Sequence, residues 1–177
     1  MDKKYTAILG GNPSKGARSP ILWNAVYKYK GSKVRMIPID IKKKDIKKKF
    51  FYLVKDKNFL GGAVTMPYKE TLAKLLGKNL SKEAKKIMAV NCIFRKKKNL
   101  FGVNTDGEAS IKVFLSKFKS QKNKNILIIG LGGAGKAVST YFCEKLFKKN
   151  KIYVSNRSIN KKSFSKKIKA KWIGYKN

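Results

Sequence analysis

Residues 125–142, NILIIGLGGAGKAVSTYF, join a run of aliphatic residues to a glycine-rich turn and then to a segment with helical spacing. The apolar run Asn125–Gly130 predicts a buried strand, and Gly133–Phe147 predicts a helix. Between them Gly130, Gly132 and Gly135 satisfy G-x-G-x-x-G. The first glycine of such a loop allows the tight turn, the second lets a pyrophosphate approach the backbone, and the third lets helix and strand pack closely. The helix N-terminus supplies N–H donors and positive potential. A glycine triplet alone also fits a plain strand-to-helix turn. Here strand, spacing and helix agree, so the loop Gly130–Gly135, with Gly133 and Ala134 inside it, reads as a dinucleotide-binding Rossmann element.

Downstream, Ile152–Val154 predicts a second strand, Asn160–Ala170 a helix, and Trp172–Tyr175 the start of a third strand. An NAD site calls for Asp or Glu about 20 residues beyond the glycines, to accept from the ribose 2′-hydroxyl. Beyond Gly130 the only carboxylate is Glu144, in the middle of the predicted helix. The second strand instead runs out into Ser155-Asn156-Arg157-Ser158, with Lys161 close behind. A guanidinium flanked by hydroxyl and amide donors suits a 2′-phosphate. The cofactor favoured is therefore NADP, held by Asn156, Arg157, Ser158 and Lys161. The plainer alternative makes Arg157 one more surface cation.

Upstream, strand and helix alternate: strand Tyr5–Leu9, helix Pro20–Lys30 with Ile21, Leu22, Ala25 and Val26 at helical spacing, strand Val34–Ile39, helix Lys43–Lys55. Strand Phe59–Met66 and helices Tyr68–Leu76 and Ser81–Met88 follow. Such alternation means a parallel sheet with helices on its faces. Ser19 before Pro20 is a ready N-cap. From Asn91 the sequence NCIFRKKKNLFGVN reads as a hairpin with a lysine-rich tip, and Thr105 and Asp106 open a helix running to about Lys119. The polar stretch Lys117–Asn125 is the expected domain boundary, giving units 1–120 and 121–177. The fold class is α/β, an N-terminal α/β domain followed by the first part of a doubly wound domain. The second unit has 57 residues, short of the roughly 100–150 of most domains, so it holds only an opening βαβ.

Composition narrows the chemistry. The chain of 177 residues has 44 Lys and Arg, 9 Asp and Glu and no histidine, a formal charge of +35. Without histidine there is no Ser-His-Asp or Cys-His nucleophile and no imidazole base, so proton transfer falls to Lys, Asp, Glu, Tyr or Cys. Cys92 and Cys143 are far apart with no CxxC spacing, which argues against a metal site or a disulfide and for reduced thiols. The N-terminal apolar run is too short for a signal peptide and no stretch could span a bilayer. A cytoplasmic protein is expected. The charge raises a nucleic-acid reading, but only Arg18, Arg35, Arg95 and Arg157 are arginines. Recognition of phosphate and base edges favours arginine's planar fork over scattered lysine. Nonspecific attraction to polyanions at low salt is the expected consequence of this charge.

Among the lysines, Lys69 stands out by its setting. It follows GGAVTMPY, in the first turn of a predicted helix, where a cation is disfavoured by the helix dipole. Asp106, in NTDG, ends an extended run and begins a helix, a position that ordinary N-capping also explains.

The series GNP and SP, VTMPYKE, AVN, NTDG, GLGGAG and SNRS, in this order from about Tyr5 to the last residue, resembles the shikimate dehydrogenase family. The resemblance implies an N-terminal substrate domain, a C-terminal NADP-binding Rossmann domain, and reversible reduction of 3-dehydroshikimate to shikimate in chorismate and aromatic amino-acid biosynthesis. It implies Lys69 and Asp106 as the catalytic pair and Ser19, Thr65 and Asn91 as substrate contacts. The expected partner is the small-molecule substrate, with no specific nucleic acid, membrane or metal; a homodimer stays open. The chain departs from the family at Ala17, where serine is usual, and at Ala63, where asparagine is usual. A lost hydrogen bond to a charged group is worth about 1.5–3 kcal/mol. Quinate or a related polyhydroxy acid, and a ligand-binding relative without turnover, therefore stand as alternatives.

Overall fold

The structure is a computed structural model that describes residues 3–118 and 122–174. Lys119, Ser120 and Gln121 of the expected boundary, and Tyr175 of the expected third strand, lie outside the described residues. The chain forms two compact units, Met1–Asn104 and Thr105–Asn177.

The first unit is built on a five-stranded sheet of order β2-β1-β3-β4-β5. Its strands are β1 (Tyr5–Gly10), β2 (Arg35–Asp40), β3 (Phe59–Val64), β4 (Cys92–Lys96) and β5 (Asn99–Val103). β1 pairs parallel with β2 and β3, as the alternation predicts. The hairpin then adds β4 and β5 antiparallel beside β3, so the sheet is mixed. The helices are α1 (Ser19–Tyr29), α2 (Ile46–Lys55), α3 (Lys69–Leu76) and α4 (Lys82–Ile87). Leu53, Phe59 and Leu72 are fully buried in one core with Leu9, Phe50 and Ile93. Ser81 caps α4, its hydroxyl accepting from the Ala84 N–H at 3.1 Å.

One feature of this unit differs from the sequence reading. The apolar stripe of α1 faces outward: Ile21 is 74% exposed and Leu22 65%. The inward face is held by polar groups instead. Asn24 accepts from the Met36 N–H at 2.7 Å and donates to the Met36 carbonyl at 3.0 Å, and the hydroxyls of Tyr27 and Thr6 lie 3.1 Å apart. Arg95 turns back from β4 and donates to the carbonyls of Leu53 and Phe59, both at 2.7 Å, and of Asp56 at 2.9 Å. A guanidinium at the end of α2 satisfies carbonyls that have no partner within the helix, where the helix dipole favours a cation.

The second unit has a parallel three-stranded sheet of order β6-β7-β8, from β6 (Asn125–Ile129), β7 (Lys151–Ser155) and β8 (Lys171–Ile173). Its helices are α5 (Asp106–Lys117), α6 (Gly133–Leu146) and α7 (Lys162–Lys167). The expectation that α5 closes the first unit, with the boundary near residue 120, differs from this division. Ile111 and Phe114 join Phe142, Leu146 and Ile152 in the second core, and the Phe114 and Phe142 rings meet edge to face. A Cβ on Gly107 would stand 2.6 Å from the Ala137 carbonyl oxygen, which shows how closely α5 lies on α6. β6 is not buried on both faces as its apolar run suggests. Ile126 and Ile128 face the core, whereas Leu127 is 50% and Ile129 70% exposed, because the helices packed on this sheet cover one side of it.

Candidate functional site

In the second unit the glycine loop has the shape its spacing demands. Gly130 leaves β6 with φ of +93°, a conformation that side chains with a Cβ rarely adopt. A Cβ at Gly135 would lie 1.8 Å from the Gly130 carbonyl oxygen, so the third glycine is required by the approach of helix to strand. Above Gly132 there is open space, with no described atom within 4 Å of the place a Cβ would take. Gly132 stands at the N-cap of α6, where no side chain caps the helix and no acidic residue occupies the first turn. A bare helix N-terminus with room beside it has the donors and the potential that attract a phosphate.

The end of β7 is tied to this loop. The Gly130 N–H donates to the Ser155 carbonyl at 2.8 Å, and the Leu131 N–H donates to Asn156 Oδ1 at 2.8 Å. Asn156 Nδ2 in turn donates to the Ser158 carbonyl at 3.1 Å. Asn156 thus braces the two loops against each other, a role that the sequence reading did not find. The hint was present in the polar residue that follows the buried strand end. Arg157 and Ser158 are exposed beside it, and Lys161 is half-buried just before α7. Buried Lys136, one turn into α6, places its ammonium 5.4 Å from the centre of the Phe164 ring and so links α6 to α7. NADP fits the donor set: a helix N-terminus for the pyrophosphate, a guanidinium for the 2′-phosphate, and no carboxylate at the end of β7 to favour an unphosphorylated ribose.

In the first unit the remaining candidates come from the carboxyl ends of the strands, where open α/β sheets bind their ligands. Thr65 directly follows β3, half-buried, and its N–H donates to the Leu9 carbonyl at 2.9 Å. Asn91 is drawn beside it, because the Val64 N–H donates to the Asn91 carbonyl at 2.8 Å. Lys69 is the first residue of α3, half-buried, and its carbonyl accepts from the Val90 N–H at 2.9 Å. Three of the predicted residues therefore converge through backbone hydrogen bonds. Tyr68, which the sequence reading passed over, anchors the loop: its buried hydroxyl donates to the Ile41 carbonyl at 2.6 Å.

Ser19 opens α1 after the loop that follows β1, but it does not cap that helix as expected. It is already helical, and Arg18 holds the cap position without a side-chain bond. Ala17 and Ala63 are both half-buried. Asp106 is the first residue of α5 and belongs to the second unit, whereas Lys69 belongs to the first. Thr105, not Asp106, occupies the cap position of α5, and the Thr105 side chain makes no capping bond. As the first residue of the helix, Asp106 complements the positive end of the α5 dipole together with Glu108, so its place at a helix start remains the ordinary one. Among the described residues no group of His, Cys, Asp and Glu could hold a metal ion, and no helix is long and apolar enough to cross a membrane.

These elements define a class: an α/β chain with a lysine-bearing mixed-sheet unit followed by a βαβ unit whose first strand and helix are joined by a glycine-rich loop. The family model described as the shikimate dehydrogenase substrate binding domain matches residues 9–93. The NADP(+)-dependent shikimate dehydrogenase of Pyrococcus furiosus is 39% identical over 158 residues, 88% of this chain and 55% of that protein. That of Methanocaldococcus jannaschii is 33% identical over 166 residues, 91% of this chain and 56% of that protein. Among solved structures, the shikimate dehydrogenase of Aquifex aeolicus superposes with a TM-score of 0.84 at 27% identity, covering 97% of this chain and 62% of the other. A shikimate dehydrogenase solved with NADP+ gives 0.83 at 29% identity, covering 97% and 61%. The chain is similar to the shikimate dehydrogenases along most of its length, and it spans about half the length of the curated relatives it matches.

Proposed function

We infer that the chain is the substrate-binding and leading cofactor-binding part of an NADP-dependent oxidoreductase that interconverts 3-dehydroshikimate and shikimate, in the cytoplasmic route to chorismate and the aromatic amino acids. The observation that carries this reading is the brace between the glycine loop and the Asn156-Arg157-Ser158 turn. It holds a phosphate-seeking helix end and an exposed guanidinium in one rigid piece, in a chain whose other unit resembles a shikimate-binding domain.

NADPH, when bound, supplies the hydride. The Gly130–Gly135 loop receives its pyrophosphate, and Arg157, Ser158 and Lys161 take the 2′-phosphate as charged or polar donors. Ser19, Thr65 and Asn91 hold the substrate's carboxylate and hydroxyls. Lys69 gives a proton from Nζ to the ketone oxygen as that oxygen gains charge, and takes it back in the reverse direction. Asp106 is the carboxylate that the resemblance assigns to accept from a substrate hydroxyl. Ala17 and Ala63 favour a second reading of the same site, with quinate or another polyhydroxy acid in place of shikimate, since each replaces a polar group by a methyl.

The test is NADPH-dependent reduction of 3-dehydroshikimate, followed by loss of nicotinamide absorbance, with quinate and NADP+ run in the opposite direction. A rate that vanishes in Lys69→Ala supports the reading. No rate above that variant with either substrate discards it.

A further inference from the structure

We propose that the first unit carries a second anion site, on the end of its sheet opposite the candidate substrate residues, that takes a small ligand bearing several phosphates. A cavity of about 940 Å³ opens where the chain enters β1 and β2. Lys3 and Lys4 lie just before β1, Lys28 on the last turn of α1, Lys33 in the following loop, and Arg35 at the first position of β2. Five of its nine lining residues are cations and none is a carboxylate, whereas cations make up a quarter of the chain. The cavity volume is of the order that accommodates a nucleotide-sized ligand, within the roughly 300–1,000 Å³ of small-molecule sites.

The floor is rigid. Asn24 is locked by its two bonds to the Met36 backbone, and the Tyr5 hydroxyl donates to Asp56 at 2.6 Å. The five exposed cations stand around this fixed floor. Like charges gathered around one cavity repel, and a bound polyanion removes that repulsion while adding charge-assisted hydrogen bonds. Arg35 supplies the planar fork suited to a phosphate, in a chain with four arginines.

The site is separate from the one already described. Thr65 and Ser19 follow the carboxyl ends of β3 and β1, while these cations flank the amino ends of β1 and β2. A strand of six residues sets the two ends about 17–20 Å apart. An occupant here has its own binding constant, independent of NADPH.

The chain is titrated calorimetrically with inorganic tripolyphosphate, and separately with ATP, at about 0.15 M salt, where surface attraction is screened within about 8 Å. Saturable binding with one-to-one stoichiometry is expected when the titration is run in the presence of saturating NADP+, which occupies the glycine loop. It should weaken roughly tenfold in Lys28→Gln/Arg35→Gln and in the independent pair Lys3→Gln/Lys33→Gln, the loss expected for a pair of charge-assisted contacts. Lys47→Gln/Lys48→Gln, on α2, removes the same charge elsewhere and should leave binding within about twofold, as only the general field changes. Equal weakening by the α2 pair, or no saturable binding of either probe, overturns the proposal. Tripolyphosphate bound as tightly as ATP identifies the phosphate chain as the recognised group, and a marked preference for ATP adds the nucleoside to it. NADPH affinity of the same variants should not change, so failure of this site and failure of the dinucleotide reading are told apart.

Discussion

The Leu131 N–H, inside the glycine loop, donates to the side-chain oxygen of Asn156, 25 positions later, at 2.8 Å. Leu131 is fully buried, so this donor has no recourse to water if its acceptor is removed. The turn after β7 and the glycine loop are in this way one mechanical element.

Asn156→Ala should therefore destabilise the second unit by about 1–3 kcal/mol, the cost of an unsatisfied buried donor. Asn156→Asp keeps the acceptor and should recover most of that stability, yet it places a carboxylate beside the 2′-phosphate position and should shift preference towards NADH. Chemical denaturation and fluorescence titration with both nucleotides separate the two effects. Equal loss of stability in both variants would contradict the brace.

Arg157 is exposed and its side chain is on the surface of the turn. Arg157→Ala should leave stability within about 0.5 kcal/mol, as is usual for surface positions. It should weaken NADPH about tenfold or more and NADH hardly at all, because a charge-assisted pair to phosphate is lost. Unchanged selectivity would remove Arg157 from the 2′-phosphate site.

Lys69→Ala and Asp106→Asn should each lower turnover of 3-dehydroshikimate by about 10²–10⁴, the range of a positioned acid or base. Neither residue belongs to the buried set of its helix. The core face of α3 is Leu72, Ala73 and Leu76, and that of α5 is Gly107 and Ile111. Far-UV circular dichroism should accordingly be retained. A variant that keeps its fold and its rate is incompatible with the assigned role.

Gly135→Ala should abolish or severely reduce folding of the second unit, because the new methyl would overlap the Gly130 carbonyl. Gly132→Ala meets no protein atom, and its effect should fall on nucleotide affinity instead. The contrast is read by melting temperature against NADPH titration.

The Tyr5 hydroxyl beside Asp56 holds that carboxyl below its ordinary range, and burial together with Asp56 pushes the Tyr5 hydroxyl well above its own. A depressed carboxyl contributes stability above about pH 4, the unfolded value, and loses it as pH falls through the folded one. A raised phenol contributes below about pH 10 and loses it as pH rises beyond. Tyr5→Phe should flatten the melting temperature at both extremes, most visibly as the pH falls below about 4. An unchanged acid limb would assign the acid sensitivity to other carboxylates.

Much of this molecule could be read along the chain because its signals are local. Periodicity marks β1, β2, β3, β6 and β7, the glycine spacing marks the turn into α6, and the missing carboxylate after β7 speaks for NADP. The polar and charged settings of Lys69 and Asp106 were visible for the same reason: each follows a strand-like run and starts a helix. Residue types and short spacings thus determined the alternation of elements, the character of the nucleotide loop and the chemistry open to a chain without histidine. Tertiary structure alone decided that α5 packs with the second core, that the apolar stripe of α1 faces outward, that Asn156 braces Leu131, and that Arg95 closes α2. The physical reason is separation. These outcomes depend on which surfaces and backbone groups meet across tens of residues, and a helical or strand period fixes only a residue's direction within its own element, not what will stand opposite it.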